Sequence, residues 1–150
     1  SILEATMRVL GEHEPNEAAY NLISRGLALL ATAPASERPP RHDPIVLGVL
    51  AKLIVVAGIL QRLATCASCG STEPLMGFSA RVGGGLCQDC SRLGEPVDAD
   101  VFAAFAQLVG QPLGPTADAL TPGAAVGVER LVGLVLQEHL GVVLRAAAPL

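Results

Sequence analysis

A chain of 150 residues with a 51% hydrophobic share has enough apolar material to bury one core without disulfide staples. Aromatic residues make up 3% and Trp is absent, which favours helices packed closely through Ala, Val and Leu over an aromatic-lined sandwich or a base-stacking platform. A formal net charge of −4 excludes a surface that coats nucleic acid over its whole extent.

The chain begins SILEATMRVL, with no basic stretch ahead of an apolar run, so no secretory signal is visible and a cytoplasmic location is expected. Ile2, Ala5, Thr6, Val9 and Leu10 recur at helical spacing, and Gly11 closes a short first helix. After the turn EHEPN, Asn16 is placed to cap a second helix with an apolar stripe of Ala19, Leu22, Ile23, Gly26, Leu29 and Leu30, closed by Pro34. The stretch APASERPPRH that follows reads as a surface linker.

Asp43 and Pro44 form a strong helix start, because the carboxylate accepts from free backbone N–H groups and proline fills a first-turn position that needs none. The helix is predicted to run from Pro44 to about Leu60, with Gly58 permitting a close crossing or a stop. It is apolar nearly all round, which makes it the central helix of a bundle. Its length falls short of a membrane span, and Lys52 at its centre would be costly in lipid.

Residues 66–90, CASCGSTEPLMGFSARVGGGLCQDC, hold all four cysteines as two Cys-x-x-Cys pairs separated by seventeen residues. That spacing suits a four-thiolate zinc site with Cys66, Cys69, Cys87 and Cys90 as ligands, provided the chain doubles back between the pairs. Residues 76–81 are predicted as one strand, Gly83, Gly84 and Gly85 as the turn, and residues 86–90 as a return strand carrying the second pair. Gly70 permits a left-handed turn whose N–H can point at sulfur. Four cysteines leave no open position for a catalytic water, so the reading is structural. The alternatives are a Cys66–Cys69 exchanging dithiol and an iron–sulfur centre.

The segment GEPVDADVFAAFAQLVGQPLG opens with a turn and continues as a helix over about residues 98–109, with Val101, Phe102, Phe105, Leu108 and Val109 on one face. Asp98 and Asp100 suit the start of that helix rather than acid–base catalysis. Thr121 and Pro122 repeat the cap-plus-proline start of a last helix running to about Leu144. Val128, Leu131, Val132, Val135, Leu136, Leu140 and Val143 face inward; Glu129, Arg130, Gln137 and Glu138 face outward.

Catalytic vocabulary is thin. His13 and His42 fall in turns and His139 lies on the last helix, each isolated, which argues for a domain that is not an enzyme. Arg62, Arg81 and Arg92 flank the cysteines in sequence; they are candidates either to contact DNA phosphate or an acidic peptide, or to screen the thiolates. The expected fold class is mainly α: a helical bundle with an inserted zinc-ribbon-like hairpin at residues 66–90, forming one domain over residues 1–150.

Several stretches in this order resemble the C-terminal domain of the RecO recombination-mediator proteins. They are EPNEAAYNLISRGLALL, the helix end AGILQRLATCASCG, the return GFSARVGGGLCQDC and the terminal QEHLGVVLR. The resemblance implies a bacterial DNA repair and recombination protein of the RecF pathway. Such a protein binds single-stranded DNA-binding protein, anneals strands and helps RecR load recombinase. It also implies an N-terminal OB-fold, which has no counterpart in these residues and which would carry most of the contact with single-stranded DNA. Structural zinc is implied for members that keep all four cysteines, as this chain does.

Overall fold

The computed structural model describes residues 17–32, 40–58, 64–113 and 120–140, and the predicted first helix, His13, Asn16 and Arg62 lie outside them. Among the described residues four α-helices and a small three-stranded sheet follow in the order α1 (Glu17–Thr32), α2 (Pro44–Val56), β1 (Leu75–Ser79), β2 (Gly84–Cys87), β3 (Glu95–Pro96), α3 (Ala99–Gly110) and α4 (Pro122–Leu140). Short 3₁₀ turns at Pro40–His42 and Gln88–Leu93 precede α2 and follow β2. The mainly helical class with an inserted cysteine hairpin is therefore what the chain adopts.

Helix α2 is the axis of the bundle, packed against α1, α3 and α4. Asp43 starts it as its sequence dictates, with Oδ1 accepting from the Ile45 N–H at 2.8 Å and Pro44 in the first turn. Nine of its thirteen residues are buried, so its apolar circumference is satisfied by neighbours on most sides. The helix is shorter than predicted: it ends at Val56, and Gly58 at φ +73° turns the backbone out of it. No helix of the described residues is long and apolar enough to cross a membrane.

The main core joins α2, α3 and α4 through Leu47, Leu50, Ile54, Phe105, Val128, Val132 and Leu136. Ala104 joins the buried face of α3, whereas Phe102 and Val109 are only half-buried. Thr121 caps α4, its Oγ1 accepting from the Ala124 N–H at 3.1 Å. Val128, Leu131, Val132, Val135 and Leu136 are buried as the stripe predicts; Val143 and the side chain of Leu140 lie outside the described residues. Glu129 departs from the outward reading. It is half-buried, accepts from His42 Nε2 at 2.7 Å and lies 3.9 Å from Arg41 Nε, which ties the turn before α2 to α4.

Among the described residues helix α1 packs chiefly on α2, and Ala19 and Gly26 are its buried residues. The rest of the predicted stripe is half-buried. The close approach is made at Gly26, where an added Cβ would stand 2.5 Å from Val49 Cγ2.

The sheet has the order β2-β1-β3 and is antiparallel throughout. It corrects the predicted hairpin in two ways. Gly84 and Gly85 belong to β2 rather than to the turn, and β2 ends at Cys87, leaving Cys90 on the following 3₁₀ turn. Gly83 alone takes the positive φ, at +99°, and its N–H closes the turn on the Ser79 carbonyl at 3.0 Å. Gly85 pairs with Phe78 in the strand, and the Leu75 side chain and Phe102 fill the space a Cβ there would need. The segment read as a turn before α3 contains a third strand, Glu95–Pro96, on the outer edge of β1, where a residue without an N–H is tolerated.

Candidate metal centre and basic groove

The first knuckle is a tight loop held by backbone hydrogen bonds. The Cys66 N–H donates to the Ser71 carbonyl and the Gly70 N–H to the Cys66 carbonyl, each at 2.9 Å, and the Ala67 N–H donates to the Gly85 carbonyl on β2 at 2.8 Å. Gly70 is left-handed at φ +76° as expected, but its N–H serves that carbonyl rather than a sulfur. The second knuckle runs off the end of β2, so Cys87 is fixed by the sheet and Cys90 by the turn.

These two loops bring the sulfurs of Cys66, Cys69, Cys87 and Cys90 within 4.8 Å of one another. The Cys69 and Cys87 Sγ atoms are 3.7 Å apart. A tetrahedron with metal–sulfur bonds of about 2.3 Å has edges of about 3.8 Å, so that pair already stands at the spacing of two zinc ligands. Cys66 and Cys87 are buried, Cys90 is half-buried and Cys69 is exposed. With Leu86, and with Leu75 packed alongside, the buried pair forms a small core separate from that of the helices.

The thiols differ in acidity. Backbone N–H groups of Cys87 and then Cys69 stabilise the Cys66 thiolate and bring its pKa to about 6, against the opposing effect of burial. At Cys90 a Ser68 hydrogen bond acts to lower the pKa. Burial and the other three thiols outweigh it and push the value up to about 12. Cys69 is raised as well: a backbone bond from Ser71 lowers its pKa, but the Cys66 and Cys87 thiols and burial prevail. One sulfur thus ionises readily while Cys69 and Cys90 resist ionisation, the expected behaviour of a cluster whose full ionisation requires a cation.

Arg81 lies in the hairpin turn and Arg92 on the turn that carries Cys90, both exposed. The hairpin is tied to α4 by Arg130 Nη2 donating to Glu95 Oε2 at 2.5 Å and by His139 Nε2 donating to the Ala80 carbonyl at 3.1 Å. His139 therefore bridges elements from its exposed position. Phe78 of β1 enters the main core, and β1 packs against α3.

A second feature escaped the sequence reading. Arg25 and Lys52 both line an open groove of about 400 Å³ between α1, the end of α2 and the end of α3, with Leu22, Val55, Val56, Val109 and Leu113 as its apolar walls. Lys52 Nζ donates to the Val109 carbonyl at 2.8 Å, in the last turn of α3, where carbonyls lack helical partners and the helix dipole favours a cation. Desolvation and then the nearby Arg25 charge hold the Lys52 pKa below its usual 10.5. The available signal was a lysine inside an otherwise apolar helix, which demands a polar partner, together with Ala18, Asn21, Leu22 and Arg25 on one face of α1.

Residues 1–147 match the model of the family described as recombination protein O C terminal. The chain belongs to that family. It is 30% identical to the DNA repair protein RecO of Synechococcus sp. (strain JA-3-3Ab), over 97% of this chain and 50% of the relative. Proteins of the same name match from Anaeromyxobacter sp. (strain K), at 30% identity over 92% of this chain and 54% of the relative, and from Anaeromyxobacter dehalogenans (strain 2CP-C), at 33% over the same shares. The chain spans about half the length of these relatives.

Proposed function

We propose that the chain is a non-enzymatic interaction domain of a recombination mediator in DNA repair. Cys66, Cys69, Cys87 and Cys90 hold one structural zinc ion, and the groove between Arg25 and Lys52 receives the acidic C-terminal tail of single-stranded DNA-binding protein. The observation that carries this reading is the family match over residues 1–147. Strand annealing and recombinase loading with RecR belong to the whole protein, with DNA contact supplied by an OB-fold beyond this domain. Arg81 and Arg92, and Arg62 in sequence, are secondary contacts to phosphate.

The donor set supports zinc. Four thiolates satisfy a divalent ion tetrahedrally and leave it no catalytic position, and the ion would supply positive charge that holds the two knuckles together. Sulfurs within 4.8 Å of one another suit a single ion better than an iron–sulfur cluster, whose irons spread the ligands over separate corners. The groove supports an acidic peptide by charge complementarity: the Lys52 ammonium has donors left after serving Val109, the Arg25 guanidinium is exposed, and the apolar walls suit the side chains that flank a tail's acidic residues.

A fluorescent peptide of that tail, titrated at two salt concentrations, tests the groove. Binding should weaken at the higher salt, and Arg25→Ala should weaken it about tenfold, as expected for loss of one charge-assisted contact. Absence of binding to the unaltered chain at low salt overturns the docking assignment. Elemental analysis tests the metal centre separately: about one zinc per chain is expected from the ligand count, and a folded protein free of metal refutes it.

A further inference from the structure

The four thiols differ in exposure, with Cys90 half-buried between a buried pair and an exposed Cys69, and the difference assigns them different chemistry. Cys66 and Cys87 sit in the small core at 0% and 1% exposure, packed with Leu86 and Leu75, so water and solutes reach them poorly. Cys69 faces solvent at the end of the first knuckle, and its sulfur lies 3.7 Å from that of Cys87 across the hairpin. A small oxidant arriving from solution meets Cys69 first, and a buried sulfur stands behind it.

We propose that Cys69 is an oxidative modification site, with Cys87 as its resolving partner, so that peroxide opens the metal centre in an ordered way. This inference rests on the metal reading above. Cys69 Sγ, which a bound ion would keep as thiolate, attacks one oxygen of hydrogen peroxide; the O–O bond breaks, the departing hydroxide takes a proton to become water, and Cys69 becomes a sulfenic acid. The Cys87 thiolate then attacks that sulfur and forms the S–S bond, expelling hydroxide, which takes a second proton and leaves as a second water. Peroxide gains two electrons and the two thiolates lose two. Cys66 and Cys90 alone cannot complete a four-sulfur shell, so the site loses its hold on the ion.

The consequence is confined to the knuckles. Phe78 remains in the helical core, and the Arg130–Glu95 and His139–Ala80 contacts hold the rest of the hairpin to α4. Oxidation therefore opens the metal centre without unfolding the bundle. Because each sulfenic and disulfide step precedes irreversible oxidation, a thiol reductant with added zinc restores the starting state.

The test uses the purified zinc-loaded chain, its zinc content measured first, so that failure of the metal reading shows before any oxidant is added. Hydrogen peroxide is added below one equivalent, the reaction is quenched with N-ethylmaleimide, and peptides are mapped by mass spectrometry while a colorimetric chelator follows zinc. The expected result is a Cys69–Cys87 disulfide, zinc release in step with it, and alkylation of Cys69 in unoxidised protein at least roughly tenfold faster than of Cys66, as exposure dictates. First modification at Cys90, a Cys66–Cys69 disulfide, or zinc release with no order among the thiols overturns the proposal. Mapping needs no variant. Cys69→Ser adds a second arm: if it still loads zinc, release by peroxide should slow about tenfold, and an unchanged release rate refutes the role of Cys69.

Discussion

Replacing Gly26 with alanine should loosen the joint between α1 and α2, and a second substitution should repair it. The new Cβ would stand 2.5 Å from Val49 Cγ2. Val49 is fully buried, and a β-branched side chain in a helix is confined almost to one rotamer, so it cannot swing aside. Overpacking of this kind costs about 1–3 kcal/mol, while alanine gains about 1 kcal/mol over glycine in a helix interior. The net expectation for Gly26→Ala is a loss of about 1 kcal/mol. Val49→Ala removes two buried methyl groups, about 1.6 kcal/mol at ~0.8 kcal/mol each, before any cavity term. In the double variant the added methyl occupies part of the space that Val49 vacates. The two changes should therefore fall short of additivity by about 1–2 kcal/mol in a double-mutant cycle measured by urea unfolding. Additivity within about 0.3 kcal/mol would mean that the helices do not cross at this pair. Arg25 adjoins Gly26, so the single variant should also weaken tail binding in the groove.

Cys87→Ala should abolish zinc binding while leaving most of the far-UV helical signal, because the helices are held by a core separate from that of the cysteines. Phe105→Ala, at 1% exposure in the main core, should cost about 3–5 kcal/mol in the same urea assay. Affinity for the acidic tail should fall as pH rises through the Lys52 pKa. Burial and the Arg25 charge place that pKa below the usual 10.5, so the fall begins before an ordinary lysine would titrate, and Lys52→Arg should remove it. The same depressed pKa means that the unfolded chain holds this proton more tightly. Its contribution to stability is therefore least favourable below the folded pKa and improves as pH rises from there toward 10.5.

What could be read in advance was local. Asp43 with Pro44 and Thr121 with Pro122 announce their helices because a cap and its N–H groups lie within three residues of each other. The cysteine spacing announced the cluster because two knuckles need only a chain reversal between them. What could not be read depends on distant partners. Lys52 finds Val109 across 57 positions and His42 finds Glu129 across 87, and nothing near any of these residues encodes the pairing. Strand β3 is two residues long and includes a proline; it exists because β1 offers a free edge. Helix α2 ends before its predicted end: the apolar run continues past Val56, while Gly58 turns the backbone out of the helix.

Strand β1 pairs Leu75 with Cys87 and Gly77 with Leu86, so its register slips by one residue at Met76. Leu75, on one side of the slip, packs with the cysteines, and Phe78, on the other, packs with the helices. That single extra residue is a seam between two parts that can change independently. A descendant that gave up its metal would need new apolar side chains only on the Leu75 side, at the places now held by Cys66, Cys87 and Cys90. Phe78 and the bundle beyond it could stay as they are.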